Sequence, residues 1–114
     1  YGGARALLLP SLHESFGLSA VEMLAAGGVV IASRLPALIE STCGKGLFLD
    51  PQDEDGWRDA LRKACVDRDW RMSLRDGAAQ AVDCYSWRRC AEETLAGYRQ
   101  ALATPAAGAF RQAS

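Results

Sequence analysis

Three features of the sequence predict an α/β fold built on a parallel sheet. Short apolar runs at residues 6–9, 29–32 and 47–49 are separated by stretches with helical spacing. Those runs do not alternate between apolar and polar residues, as expected of strands covered on both faces. After Asp50 and Pro51 the texture is helical only. The order β-α-β-α-β followed by three helices calls for parallel strands joined by right-handed crossovers.

Each element has its own warrant. The run at 6–9 is a buried strand, ended by Pro10 and Ser11. A loop over 10–17 leads to a helix over 18–26, where Leu18, Val21, Leu24 and Ala25 mark one stripe. Gly27 and Gly28 stop it, as glycine does just past a helix end. The run at 29–32 is a second buried strand. Pro36 suits the first position of a short helix over 37–40. Gly44, Lys45 and Gly46 turn the chain into the third strand, 47–49. Asp53 is a candidate N-cap, with Glu54 and Asp55 in the first turn to favour the helix dipole. Trp57, Ala60, Leu61, Ala64 and Cys65 form that helix's apolar face. A second helix is expected over 69–82, with Trp70, Leu74, Ala78 and Ala81 as its stripe. A third follows the N-cap candidate Ser86 and carries Trp87, Ala91, Leu95, Tyr98 and Leu102. The three tryptophans read as packing anchors. Residues 1–102 form the expected domain, and 103–114 read as a mobile tail.

Composition narrows the function classes. Of 114 residues, 49% are apolar and 24% charged, which argues against wholesale disorder. Thirteen basic and fourteen acidic residues give a net charge of −1, unlike an electrostatically driven nucleic-acid binder. The arginines at 58, 62, 68, 71 and 75 are interspersed with acids and read as a solvated face. No apolar run approaches the ~20 residues of a transmembrane span. Cys43, Cys65, Cys84 and Cys90 form no C-x-x-C, and one histidine is too few for a Cys/His zinc pattern. Buried, reduced thiols are the expectation, with Cys65 and Cys90 on apolar helix faces. The chain opens on Tyr1 with a strand close behind, so it reads as a piece of a longer protein.

In parallel sheets of this kind, ligands bind beyond the carboxyl ends of the strands. The loop over 10–17 lies there, and it carries the informative residues. Glu14 lies in the loop and Glu22 on the following helix, one turn in. Between them Phe16, Gly17 and Leu18 offer backbone N–H groups where the helix starts. Such a terminus suits a phosphate, and Gly17 leaves room for one to approach. Ionised carboxylates accept hydrogen bonds from hydroxyls. Amides for phosphates and carboxylates for hydroxyls together describe a site for a sugar nucleotide.

The stretch L-L-P-S-x-x-E-S-F-G-L-x-x-x-E-x-L-A-A-G, with Glu14 and Glu22 eight apart, closely resembles the glycosyltransferase family 4 group of retaining enzymes with the GT-B fold. The resemblance continues through Val29 to Ser33, Gly46 to Pro51, and the Tyr85, Ser86, Trp87 start of the final helix, covering 1–102. It implies a Rossmann-like sheet, the second half of the C-terminal domain of such an enzyme, followed by C-terminal helices. It implies that Glu14 is the catalytic-site residue beside the donor sugar's hydroxyls. By the same resemblance Glu22 binds the ribose hydroxyls, and Phe16, Gly17 and Leu18 contact the sugar and diphosphate.

The implied reaction transfers a hexosyl group from a nucleotide-diphosphate sugar with retention. No metal or other cofactor is expected. The implied partners are a nucleotide sugar and a carbohydrate or lipid-linked acceptor, the latter through an N-terminal domain upstream of Tyr1. The diphosphate-clamping Arg and Lys would also lie upstream, so the chain alone is expected to be inactive. A cytoplasmic location is expected, with peripheral contact at the inner membrane face left open. One departure is that Gly28 and Val29 stand where the family commonly has Thr-Pro, which should loosen the turn into the second strand.

Other readings remain open. One is a non-catalytic sugar-nucleotide-binding module. A second is an interaction domain of the response-regulator sort, but the strand ends at Pro10, Ser33 and Asp50 offer no Asp-Asp pair. A sugar-nucleotide epimerase would share fold and ligand. His13 reads as a loop residue or a sugar-side contact. Ser33 and Arg34 lie where a nucleotide base could reach, and Glu40 reads as a surface residue.

Overall fold

A computed structural model describes residues 1–103. The chain divides into two units, residues 1–84 and the segment from Tyr85 onward. The first contains a three-stranded sheet in the order β1 (Leu7–Leu9), β2 (Val30–Ser33), β3 (Leu47–Leu49). Both pairings are parallel, with Leu8 opposite Ile31 and Ala32 opposite Phe48. Between the strands run α1 (Leu18–Ala25) and α2 (Pro36–Ser41). After β3 come α3 (Glu54–Val66), α4 (Arg68–Arg75) and α5 (Ala78–Ala81). The predicted β-α-β-α-β order and parallel sheet are therefore present.

Residues of β2 and the position before it send side chains to both faces of the sheet, as the two-residue period of a strand requires. Val30 and Ala32 join Ala20, Val21, Met23 and Leu24 of α1, Leu38 of α2, Ala78 of α5 and Val82 in one cluster. Val29 and Ile31 join Ala60 and Ala64 of α3 in the other, with Trp57, Trp70 and Leu74 packed against it. Strand β2 is buried throughout, which explains its uninterrupted apolar sequence.

Strand β1 departs from the expectation of full burial. Leu7 and Leu9 pack on the α1 cluster, but Leu8 belongs to neither cluster and is 37% exposed. The strand lies at the end of the sheet order, paired on one side only. On α1 the buried face is Ala20, Val21, Met23 and Leu24, so Leu18 and Ala25 of the expected stripe lie outside it.

The helical half brings two corrections. The single helix expected over 69–82 is two, α4 and α5, separated at Asp76 and Gly77. Gly77 has φ 67°, a left-handed conformation that a continuing helix does not contain. Among the described residues, four helices therefore follow β3. The thiols are also not buried: Cys43, Cys65, Cys84 and Cys90 are all exposed. On α3 the buried residues are Ala60 and Ala64, and Cys65 is turned one residue, about 100°, past that line. Leu61 is 46% exposed for the same reason.

The caps follow the sequence. Asp53 accepts from the amide of Gly56 at 3.0 Å, and Asp67 from that of Trp70 at 2.9 Å. At the end of α1, Gly27 N–H donates to Leu24 and Gly28 N–H to Met23, the paired bonds of a Schellman motif. These bonds hold the turn into β2.

The second unit holds α6 (Trp87–Ala103). The Ser86 hydroxyl accepts from the amide of Arg89 at 3.4 Å, and exposed pairs Arg88–Glu92 and Arg89–Glu93 run along the helix. Each such pair contributes about 0.3–0.5 kcal/mol. No described residue of α6 is buried, and Trp87 is 76% exposed. The expected tail lies outside the described residues, except for Ala103, which ends α6. No helix among the described residues is long and apolar enough to cross a membrane.

Candidate functional site

The site begins with the path of the chain from β1 into α1. Gly17 precedes the first residue of α1 in a left-handed conformation, φ 80°. A Cβ there would stand 2.2 Å from Leu38 Cδ2. Leu38 is fully buried in the α1 cluster, so the start of α1 is pressed against α2 with no room for a side chain. Glycine is thus required on two counts, conformation and space.

The amides at this terminus are open. Helix α1 has no side-chain cap and no acidic residue in its first turn. The Gly17 carbonyl takes the amides of Ala20 and Val21 at 2.9 and 3.3 Å. Among the described residues, the amides of Leu18 and Ser19 have no hydrogen-bond partner. Unsatisfied N–H groups at a helix start carry a partial positive charge and favour an anion.

The two carboxylates flank that terminus. Glu14 is half-buried and folds back over the loop: its Oε1 accepts from the Ser15 amide at 3.2 Å, and its Cγ lies 3.6 Å from the Cβ position at Gly17. Glu22 is exposed one turn into α1. It shares a helix face with Leu18, four residues before it and 44% exposed. Glu22 Oε2 accepts a hydrogen bond from the Tyr1 hydroxyl at 3.2 Å. The Tyr1 phenol is held above the usual tyrosine range, first by partial loss of hydration and then by the bond to Glu22 and its charge. Sequence reasoning missed this contact.

The structure thus brings Glu14, Gly17 and the open amide of Leu18 together around one helix start, with Glu22 on the exposed face behind. Phe16 is 40% exposed in the same loop. His13 is exposed beside Glu14, and Glu40 is exposed on α2. Arg34 is tied to the end of β3: its amide donates to Leu49 at 2.7 Å and its Nη2 to the Phe48 carbonyl at 2.8 Å. Ser33, at the end of β2, is fully buried, and its hydroxyl has no partner among the described residues. Among the described residues no group of three or more His, Cys, Asp or Glu is placed to hold a metal ion.

Comparison with known proteins agrees with this geometry at the level of family. A family model described as glycosyl transferases group 1 matches residues 1–81. A D-inositol 3-phosphate glycosyltransferase of Corynebacterium urealyticum is 37% identical over 110 residues, covering 95% of this chain and 26% of the relative. An O-antigen chain mannosyltransferase B of Escherichia coli is 33% identical over 100 residues, covering 87% of this chain and 26% of the relative. The solved structure of sucrose-phosphate synthase from Thermosynechococcus elongatus superposes with a TM-score of 0.75 at 31% identity, covering 88% of this chain and 26% of that one. The chain spans about a quarter of the length of these relatives. Its motif, its parallel sheet and these matches place the chain in the group 1 glycosyltransferase family, as a C-terminal portion of the GT-B fold.

Proposed function

We propose that this chain is the donor-binding part of a retaining hexosyltransferase that uses a nucleotide-diphosphate sugar. The observation that carries the reading is the uncapped start of α1, bracketed by two carboxylates. In this reading the amides of Phe16, Gly17 and Leu18 meet the diphosphate and sugar. Glu14 accepts from the donor sugar's hydroxyls and Glu22 from the ribose hydroxyls.

The open amides of Leu18 and Ser19, fixed by the fold, reorganise little when charge grows on the leaving diphosphate. The acceptor hydroxyl attacks the anomeric carbon on the face from which the diphosphate leaves. The new carbon–oxygen bond forms as the bond to the phosphate oxygen breaks, and the acceptor proton passes to the departing diphosphate. No side chain of this chain serves as the base, and no metal is assigned a role. The acceptor, a carbohydrate or a lipid-linked one, is bound by other parts of the natural protein. The 114 residues alone are inactive in this reading.

The experiment is a screen of UDP-, GDP- and ADP-hexoses with the natural full-length protein, reading nucleotide release and the anomer of the product. Release from one donor class with retained configuration is expected. An inverted product, or release from none, contradicts the reading. Binding of a nucleoside diphosphate without transfer to any acceptor favours the non-catalytic module.

A further inference from the structure

We infer that Tyr1 is a positioning residue for Glu22, holding one carboxylate oxygen so that the other faces a ribose hydroxyl of the bound nucleotide. The inference rests on the reading of Glu22 as the ribose ligand.

Glu22 stands on the exposed face of an eight-residue helix. A glutamate there has several rotatable bonds, and ordering it on binding costs entropy. Tyr1 is 21 positions away in sequence, yet its hydroxyl donates to Glu22 Oε2 at 3.2 Å. The Ala4 amide donates to the Tyr1 carbonyl at 2.9 Å and closes a turn that begins at Tyr1. A tyrosine side chain is stiff, with two torsions, and orders a partner at low entropic cost.

The bond also leaves Glu22 competent. A carboxylate accepts about four hydrogen bonds, and this one occupies a single site on Oε2, so Oε1 is left for a diol hydroxyl. The 3.2 Å separation is long for a hydroxyl on a carboxylate, so the hold is modest and yields if the ligand recruits both oxygens. Tyr1 is 54% exposed, so exchanging it for phenylalanine removes the hydroxyl while leaving the core untouched.

The test measures dissociation constants of UDP, GDP and ADP, and of their 2′-deoxy and 3′-deoxy forms. It uses the natural full-length protein with Tyr1→Phe, Glu22→Ala, and both changes. Glu22→Ala is expected to weaken ribonucleotide binding and remove the preference for ribose over the deoxy forms. Tyr1→Phe is expected to weaken ribonucleotide binding by about three- to tenfold, the loss of one modest hydrogen bond. It should also narrow the ribose preference, leave the melting temperature unchanged, and add nothing once Glu22 is alanine. If Glu22→Ala is harmless, or the unaltered protein binds none of the three nucleotides, the ribose reading fails and takes this inference with it. If Glu22→Ala weakens binding but Tyr1→Phe does not, only the role of Tyr1 is overturned. Losses that simply add, or that are equal for ribose and deoxy forms, also overturn it, because a merely structural residue would behave that way.

Discussion

Replacing Gly17 with alanine should cost stability through two separable terms. The residue sits at φ 80°, where an L side chain loses about 1–2 kcal/mol. The new Cβ would also lie 2.2 Å from Leu38 Cδ2. Leu38 is fully buried, so its end cannot swing into open space, and crowding a filled core costs about 1–3 kcal/mol. Alanine recovers about 0.4–1 kcal/mol by restricting the unfolded chain. The net expectation is a loss of about 1–5 kcal/mol, read from the shift in denaturant midpoint at constant slope. Leu38→Val shortens the offending side chain at a cost of about 1 kcal/mol on its own. In the double variant it should relieve the collision, leaving a favourable coupling of about 1 kcal/mol or more. A loss below about 0.5 kcal/mol for Gly17→Ala would refute the reasoning. Strict additivity with Leu38→Val would show that the α2 contact is not the source of the cost.

Three further outcomes follow from the same geometry. Asp53→Ala removes the cap of α3 and should destabilise by about 1 kcal/mol; an unchanged unfolding midpoint would contradict the cap. Ser33→Ala removes a buried hydroxyl without a partner, so stability should hold or rise by up to about 1 kcal/mol, and a clear loss would mean the hydroxyl is paired. The phenol of Tyr1 is raised in the folded chain, so its bond to Glu22 is complete below about pH 10 and is lost as pH rises through the folded value. An ultraviolet phenolate titration, with Tyr1→Phe as the blank, should show that midpoint move down in Glu22→Gln; an unmoved midpoint sinks the assignment.

Much of the fold was legible because its signals are local. Proline and glycine bound the three apolar runs, and Asp53 and Ser86 announce helix starts through side chains that bond nearby amides. The loop over 10–17 was legible as a candidate site for the same reason, since glutamate, glycine and helix start lie within a few residues. What failed depended on packing. Trp70, Leu74, Ala78 and Ala81 keep a helical period across Gly77, so the pattern hid the break that its backbone imposes. Cys65 sits one residue from buried Ala64, and periodicity does not resolve which residue at the edge of a stripe is covered. Leu8 reads as buried among leucines, but its exposure depends on which layers cover the end of the sheet. The Tyr1–Glu22 bond joins positions 21 apart and leaves no periodic trace.

The central claim is that the start of α1 receives the donor's diphosphate. The most direct measurement is hydrogen exchange of the natural full-length protein, with and without UDP, GDP and ADP. The account predicts that one of these nucleotides slows exchange over residues 14–22, where the amides of Leu18 and Ser19 otherwise lack partners. Nucleotide binding that leaves exchange over that segment unchanged would contradict it.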